Sequence, residues 1–260
     1  MLATKKMGCS CFTAAAFFFF IIPNLFAQGS ALSTQPTSAQ STQTASSSAQ
    51  TGSIAVPAAS QATAPASQNE EALRAVVSRL SLEEKAAQVL MVNIAGSKTA
   101  DVNSIASFKG TVPGAILLFG YNIADTPQAV ADFLESAVHG FQDTAHRSGH
   151  TFIPPLFALD NEGGTVYRTR RITVPVPAAE EIGTRFSAEE AEELYRLLGQ
   201  QMRELGLRLN LAPVAEAGTE ETAAALGTRT FSSEPEQAGQ YAAAAVRGMQ
   251  KAGIFAAVKH

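Results

Sequence analysis

Residues 113–159, PGAILLFGYNIADTPQAVADFLESAVHGFQDTAHRSGHTFIPPLFAL, read as one βαβ unit. Pro113-Gly114 leads into the apolar run Ala115–Phe119, a buried-strand pattern. Thr126-Pro127 opens a helix with proline at the first helical position. Val130, Phe133, Leu134, Ala137, Val138 and Phe141 then recur at helical spacing. Pro154-Pro155 closes the crossover and Leu156–Leu159 supplies the next strand. Upstream, Ser81 and Glu84 make a capping box, and that helix runs into Val89–Val92, another buried-strand candidate. Downstream, Ser187 and Glu190 cap a helix carrying Leu194, Leu197, Leu198, Met202 and Leu205, which Gly206 stops. Leu209–Ala212 follows as a strand. Ser233 and Glu236 are expected to cap a last helix ending at Gly253, before the strand Ile254–Val258. Apolar strands without polar alternation, separated by amphipathic helices, indicate parallel βα units. A doubly wound sheet and a (β/α)8 barrel both fit that alternation.

The chain has 260 residues, 46% hydrophobic and 16% charged, with a formal charge of −4. A mild acidic balance argues against nucleic acid as a partner, because a phosphate-binding surface is basic. After Lys5 and Lys6 no charged residue occurs before Glu70. The charged, globular part is therefore residues 70–260. Both cysteines, Cys9 and Cys11, lie outside it, so it holds no disulfide framework and no cysteine-based zinc site. Residues 1–27 have the layout of a signal peptide: Lys5-Lys6, the apolar run Phe12–Ile22, and Leu25-Phe26-Ala27 before Gln28. Export to the periplasm or cell exterior is the expectation, with an uncleaved N-terminal membrane anchor as the alternative. Residues 28–69 are Ser, Thr, Gln, Ala and Pro, a composition that cannot bury enough apolar surface to offset ordering entropy. They read as an uncharged low-complexity linker.

Four stretches carry candidate chemistry. The first is Leu159-Asp160-Asn161-Glu162-Gly163-Gly164-Thr165-Val166-Tyr167-Arg168. It starts at the end of a predicted strand, where parallel α/β folds bind ligands. A carboxylate there can accept hydrogen bonds from vicinal hydroxyls, as a sugar offers; a turn with solvated acids is the plainer alternative. Gly163-Gly164 permits positive φ or close approach to a ligand. The second is Asn210-Leu211-Ala212-Pro213-Val214-Ala215-Glu216, again at a strand end. The third, Gly227-Thr228-Arg229-Thr230-Phe231-Ser232-Ser233, puts a guanidinium fork on a loop; alone, Arg229 would pass for a surface arginine. The fourth is Val258-Lys259-His260. His139, His146 and His150 have no paired ligand geometry and read as surface residues, and no metal site is expected.

In this order, the four stretches resemble glycoside hydrolase family 3, in its N-terminal barrel domain, over residues 70–260. Asp160-x-Glu162-Gly163-Gly164-x-Val166-x-Arg168 resembles the β-N-acetylhexosaminidase branch, as do Pro113–Phe119 and Tyr121-Asn122. Lys259-His260 resembles the start of the family's Lys-His-Phe-Pro-Gly-His-Gly stretch. The resemblance implies a partial (β/α)8 TIM-type barrel of about five βα units. It implies that Asp160, Arg229, Lys259 and His260 hold a sugar in the −1 subsite, with no cofactor. Glu216 stands where the family usually has Asp. The family's acid/base histidine and nucleophilic aspartate would both lie beyond His260. The expectation is thus an N-terminal fragment, without its catalytic pair, of an enzyme cleaving terminal β-linked N-acetylglucosamine from glycans through a covalent glycosyl-enzyme. The alternatives are a family-3 β-glucosidase or xylosidase, which Glu162-Gly163-Gly164 disfavours, or a non-catalytic carbohydrate-binding domain if the chain truly ends at His260.

Overall fold

The computed structural model describes residues 68–260. The expected signal peptide and all but the last two residues of the expected linker lie outside the described residues. Those two, Gln68 and Asn69, open a helix instead, α1 (Gln68–Arg79). The chain continues through α2 (Leu82–Gln88), β1 (Met91–Val92), α3 (Val102–Ala106), β2 (Ala115–Leu117) and α4 (Pro127–Ser148). Next come β3 (Leu156–Leu159), β4 (Asn161–Gly163), β5 (Val166–Tyr167), α5 (Ala179–Arg185) and α6 (Ala188–Glu204). Last are β6 (Leu209–Asn210), α7 (Glu220–Leu226), α8 (Pro235–Lys251) and β7 (Phe255–Ala256).

Strands β1, β2, β3, β6 and β7 form one sheet, in that order, with every pair parallel. Spatial order follows chain order throughout. A doubly wound sheet reverses its order midway, so the sequential order decides between the two architectures the sequence left open. With right-handed crossovers all connecting helices fall on one face, which is the barrel-like arrangement. The strands β4 and β5 form a separate antiparallel hairpin, which the alternation of apolar runs did not announce.

Local signals explain the helices. The Ser81 and Ser187 capping boxes both form. Thr126 caps α4, Pro127 sits in its first turn, and Gly149 ends it in the left-handed conformation. The apolar stripe of α4 is buried at Val130, Phe133, Leu134, Ala137 and Phe141, and packs into one core with Ile116, Leu159, Tyr195, Leu198 and Met202. Burying each of those large side chains contributes roughly 1.5–3 kcal/mol. Helices α6 and α8 approach closely because Gly248 has no side chain: a Cβ there would lie 2.1 Å from the Glu192 carbonyl oxygen.

Several expectations need correction. The strand Leu156–Leu159 forms as read, but β1, β2, β6 and β7 are each shorter than their apolar runs. Val89 is the C-terminal cap of α2, and Val89 and Leu90 are exposed rather than buried. Leu197 is also exposed, on the outer side of α6. Ser233 and Glu236 do not cap α8: the cap position is Glu234 and Pro235 opens the helix. Proline has no N–H to satisfy, and the Glu234 N–H is held instead by Ser232 Oγ at 3.0 Å. His150 is half-buried, with Nδ1 3.6 Å from Glu84 Oε1. Glu84 accepts from the backbone N–H of Thr151 at 2.6 Å and of Ser81 at 2.6 Å. These bonds, that to Thr151 foremost, hold its carboxyl down at about 2.

Candidate functional site

The parallel ladder places its chemistry at one edge. Asp160 is the residue after β3. The pairing of Leu159 with Asn210 and of Asn210 with Ala256 aligns the ends of β3, β6 and β7. Past β7, an isolated parallel bridge between Val214 and Lys259 extends the register, with the Ala215 N–H donating to the Lys259 carbonyl at 2.9 Å and the Lys259 N–H to that of Pro213 at 3.1 Å. Lys259 is thereby brought to Asp160, 99 residues earlier, with Nζ donating to Oδ1 at 2.7 Å.

Two buried amides fix the start of the hairpin. The Asn161 N–H donates to Asn210 Oδ1 at 2.9 Å, and Asn210 Nδ2 returns a bond to the Asn161 carbonyl at 2.9 Å. Asn161 Oδ1 accepts from the Arg168 N–H at 2.8 Å, which closes the loop between β4 and β5. Gly163 and Gly164 both have positive φ, and a Cβ on Gly163 would lie 2.2 Å from the Pro177 carbonyl oxygen. The close approach these glycines allow is therefore to the chain's own backbone.

Glu162 is the hub of the site and is only 4% exposed. Arg229 grips it with both arms of its fork, Nε to Oε2 at 2.8 Å and Nη2 to Oε1 at 2.9 Å. Lys259 Nζ lies 2.5 Å from Oε1. Burial alone would raise this carboxyl, but the hydrogen bonds from Arg229 and Lys259 outweigh it and hold Glu162 below the usual carboxylate range. The bond to Glu162 in turn raises Arg229 above the usual guanidinium range. Tyr195, fully buried beneath, donates its hydroxyl to the Glu162 carbonyl at 3.1 Å, and its own ionisation is pushed up by burial and by the Glu162 charge.

His260 completes the group. Its Nδ1 lies 2.7 Å from Glu216 Oε1 and its backbone N–H donates to the same oxygen at 3.0 Å. Burial would raise the Glu216 carboxyl, but the bonds from His260 outweigh it and keep it low and ionised. A carboxylate only accepts, so the imidazole proton sits on Nδ1, leaving the Nε2 lone pair toward Arg229 Nη2 at 3.4 Å. Arg168 reaches in from the hairpin with Nη2 3.9 Å from Asp160 Oδ2, and its Nε is buried without a hydrogen-bond partner.

The four residues singled out from the sequence, Asp160, Arg229, Lys259 and His260, thus meet in one cluster. Glu162 and Glu216 were not singled out as site residues, yet they organise it. A period-2 reading was the available signal for Glu162: side chains two apart in extended backbone share a face. The side chains of Asp160, Lys259 and Arg229 are partly exposed, and the groups their mutual bonds leave over differ in character. Asp160 Oδ2 accepts; the remaining N–H groups of Lys259 and Arg229 donate. A hydroxyl does both, so a polyol fits this wall. Neither Glu162 nor Glu216 is held protonated, so neither suits general-acid work at neutral pH. Among the described residues no group of three or more His, Cys, Asp or Glu side chains could hold a metal ion. A separate cavity of about 510 Å³ is lined mainly by apolar side chains, including Ile172, Val174, Leu194 and Leu197, and contains none of this chemistry.

Comparison with known proteins agrees with the geometry. A β-hexosaminidase of Pseudomonas aeruginosa is 40% identical over 106 residues, 40% of this chain and 32% of that protein. The β-hexosaminidase LpqI of Mycobacterium tuberculosis is 32% identical over 109 residues, covering 42% of this chain and 28% of its own. The aligned stretches thus span about a third of these curated relatives or less. Among solved structures, the glycoside hydrolase family 3 β-N-acetylglucosaminidase of Paenibacillus sp. matches with a TM-score of 0.59 and 30% identity, over 70% of this chain and 33% of that one. The β-N-acetylhexosaminidase of Beutenbergia cavernae matches with a TM-score of 0.59 and 28% identity, over 70% and 54%. The model of the glycosyl hydrolase family 3 N-terminal domain matches residues 81–260. The chain belongs to glycosyl hydrolase family 3, with residues 81–260 falling in the family's N-terminal domain.

Proposed function

We propose that residues 81–260 form the sugar-binding wall of a β-N-acetylhexosaminidase, and that the whole protein hydrolyses terminal β-linked N-acetylglucosamine. The observation that carries this reading is the Asp160–Lys259–Glu162–Arg229 network, a part-exposed row of donors and acceptors standing on a buried, ionised carboxylate. In this reading the five parallel strands are five βα units of an eight-stranded barrel. Asp160 accepts from sugar hydroxyls, and Arg229 and Lys259 donate to hydroxyl oxygens. His260 contributes the Nε2 acceptor, and Glu162 holds the two cations in place without touching substrate. The wall binds and orients. Retention requires a carboxylate nucleophile and an acid/base group on opposite sides of the scissile bond, and the network offers neither. The names of the relatives favour the N-acetylglucosaminide over a glucoside. Export, with the N-terminal segment as leader or tether, belongs to the same proposal and rests on the layout of Lys5, Lys6 and Phe12–Ile22.

Turnover of an aryl N-acetyl-β-D-glucosaminide and of the matching aryl β-D-glucoside by the whole protein tests this reading. The expected result is cleavage of the first in preference to the second. An Asp160→Ala variant should lose at least ~10-fold in kcat/KM, the equivalent of one charged hydrogen bond to a hydroxyl. Preference for the glucoside, or unchanged kinetics in Asp160→Ala, would contradict it.

A further inference from the structure

Two exposed aromatic rings stand beside this wall and take no part in it. Phe119 follows β2, and Tyr121 lies in the short 3-10 turn Gly120–Asn122. Their rings stack, with centroids 5.9 Å apart and planes 24° from parallel, yet Phe119 is 37% and Tyr121 58% exposed. Single exposed aromatics are ordinary; a stacked pair held rigidly is not. The Tyr121 hydroxyl donates to Asn93 Oδ1. Asn93 Nδ2 donates to the Leu117 carbonyl at 2.8 Å and to Asn122 Oδ1 at 3.2 Å. Asn122 is fully buried. Its Nδ2 binds the carbonyls of Ile94 and Gly96 at 3.0 and 2.7 Å, and its Oδ1 accepts from the Phe119 N–H at 3.0 Å. A buried amide thus pins the aromatic turn to the segment after β1.

The register locates the pair relative to the wall. Leu117 pairs with Ala158, and the Leu118 N–H donates to the Ala158 carbonyl at 2.7 Å. Continuing that register past the ends of β2 and β3 sets Phe119 opposite Asp160, in the segments just beyond the two strands. In the strand order, β2 and β7 lie on opposite sides of β3. The aromatic pair therefore flanks Asp160 on the side away from Lys259. An aromatic face packs against the C–H groups of a pyranose ring while the hydroxyls stay free to bond outward.

We propose that Phe119 and Tyr121 form an apolar platform for a second pyranose ring, adjoining the one that Asp160 contacts. The site then takes a β-linked oligosaccharide in preference to a monosaccharide. This deepens the sugar-binding reading and rests on it.

Calorimetric titration of the 260-residue chain with N-acetylglucosamine and with N,N′-diacetylchitobiose tests the platform. The disaccharide is expected to bind roughly 3- to 10-fold tighter, the scale of one aromatic stacking contact. Tyr121→Ala should bring that ratio close to unity, whereas Tyr121→Phe, which keeps the ring, should retain most of it. Equal affinity for the two sugars in the wild-type chain, or an unchanged ratio in Tyr121→Ala, overturns the platform and leaves the sugar reading standing. Binding of neither sugar by a chain that is folded by circular dichroism overturns both.

Discussion

Replacing Glu162 by Gln should destabilise the domain by about 2–4 kcal/mol. The carboxylate receives three short contacts from cations, two from Arg229 at 2.8 and 2.9 Å and one from Lys259 at 2.5 Å. Each charged hydrogen bond contributes roughly 1.5–3 kcal/mol net, but the three are not lost together. Lys259 keeps Asp160 at 2.7 Å, and the glutamine carbonyl can still accept one bond. The desolvation cost of the buried carboxylate is also relieved. What remains is a partly buried guanidinium whose second arm faces an amide N–H in place of an oxygen. Urea unfolding of the wild-type and Glu162→Gln chains, followed by far-ultraviolet circular dichroism, measures the difference. Arg229→Gln and the double variant complete a cycle, in which a coupling above ~1.5 kcal/mol is expected. A loss below ~0.5 kcal/mol for Glu162→Gln, or strict additivity in the cycle, would refute the idea that this ion pair supports the site.

Glu84→Ala removes the acceptor for both the Thr151 and Ser81 N–H groups and should cost about 1.5–3 kcal/mol. Its depressed carboxyl contributes stability that is fully present above the unfolded value of 4.5 and fades as pH falls toward about 2; chemical denaturation across that window should show an acid-labile component that Glu84→Ala lacks. Gly248→Ala should cost more than ~2 kcal/mol by thermal unfolding, because its Cβ meets the Glu192 carbonyl of α6 at 2.1 Å. Imidazole 15N shifts should report the Nδ1–H tautomer for His260 near neutral pH. Glu216→Ala should shift that balance toward Nε2–H and Glu216→Asp should restore it; a wild-type Nε2–H tautomer would contradict the assigned orientation.

The βα alternation was legible because two-sided burial leaves continuous apolar runs and the helices carry explicit caps, as at Ser81, Thr126 and Ser187. Strand limits were not, because Leu118 and Leu211 are as apolar as ladder residues while belonging to the loops beyond β2 and β6. The choice between barrel-like and doubly wound order was not legible either: hydrophobic periodicity marks buried faces and says nothing of which strands become neighbours. Asp160, Arg229, Lys259 and His260 came from their positions at or beyond strand ends together with the family resemblance. Glu162 escaped because a carboxylate flanked by Asn161 and Gly163 looks like a solvated turn. Its burial depends on an arginine 67 residues away, a pairing no local pattern reveals. Glu216 escaped for the same reason, since its partner His260 lies 44 residues on.

The most direct measurement for the central claim is an amide 1H–15N titration of the chain with N-acetylglucosamine. Shift changes are expected to gather at residues 160–164, at Arg229 and at residues 258–260, and to disappear in Asp160→Ala. Changes that gather instead at residues 172–176, or that persist unaltered in Asp160→Ala, would contradict the assignment of this wall to sugar binding, as would the absence of any change at saturating sugar.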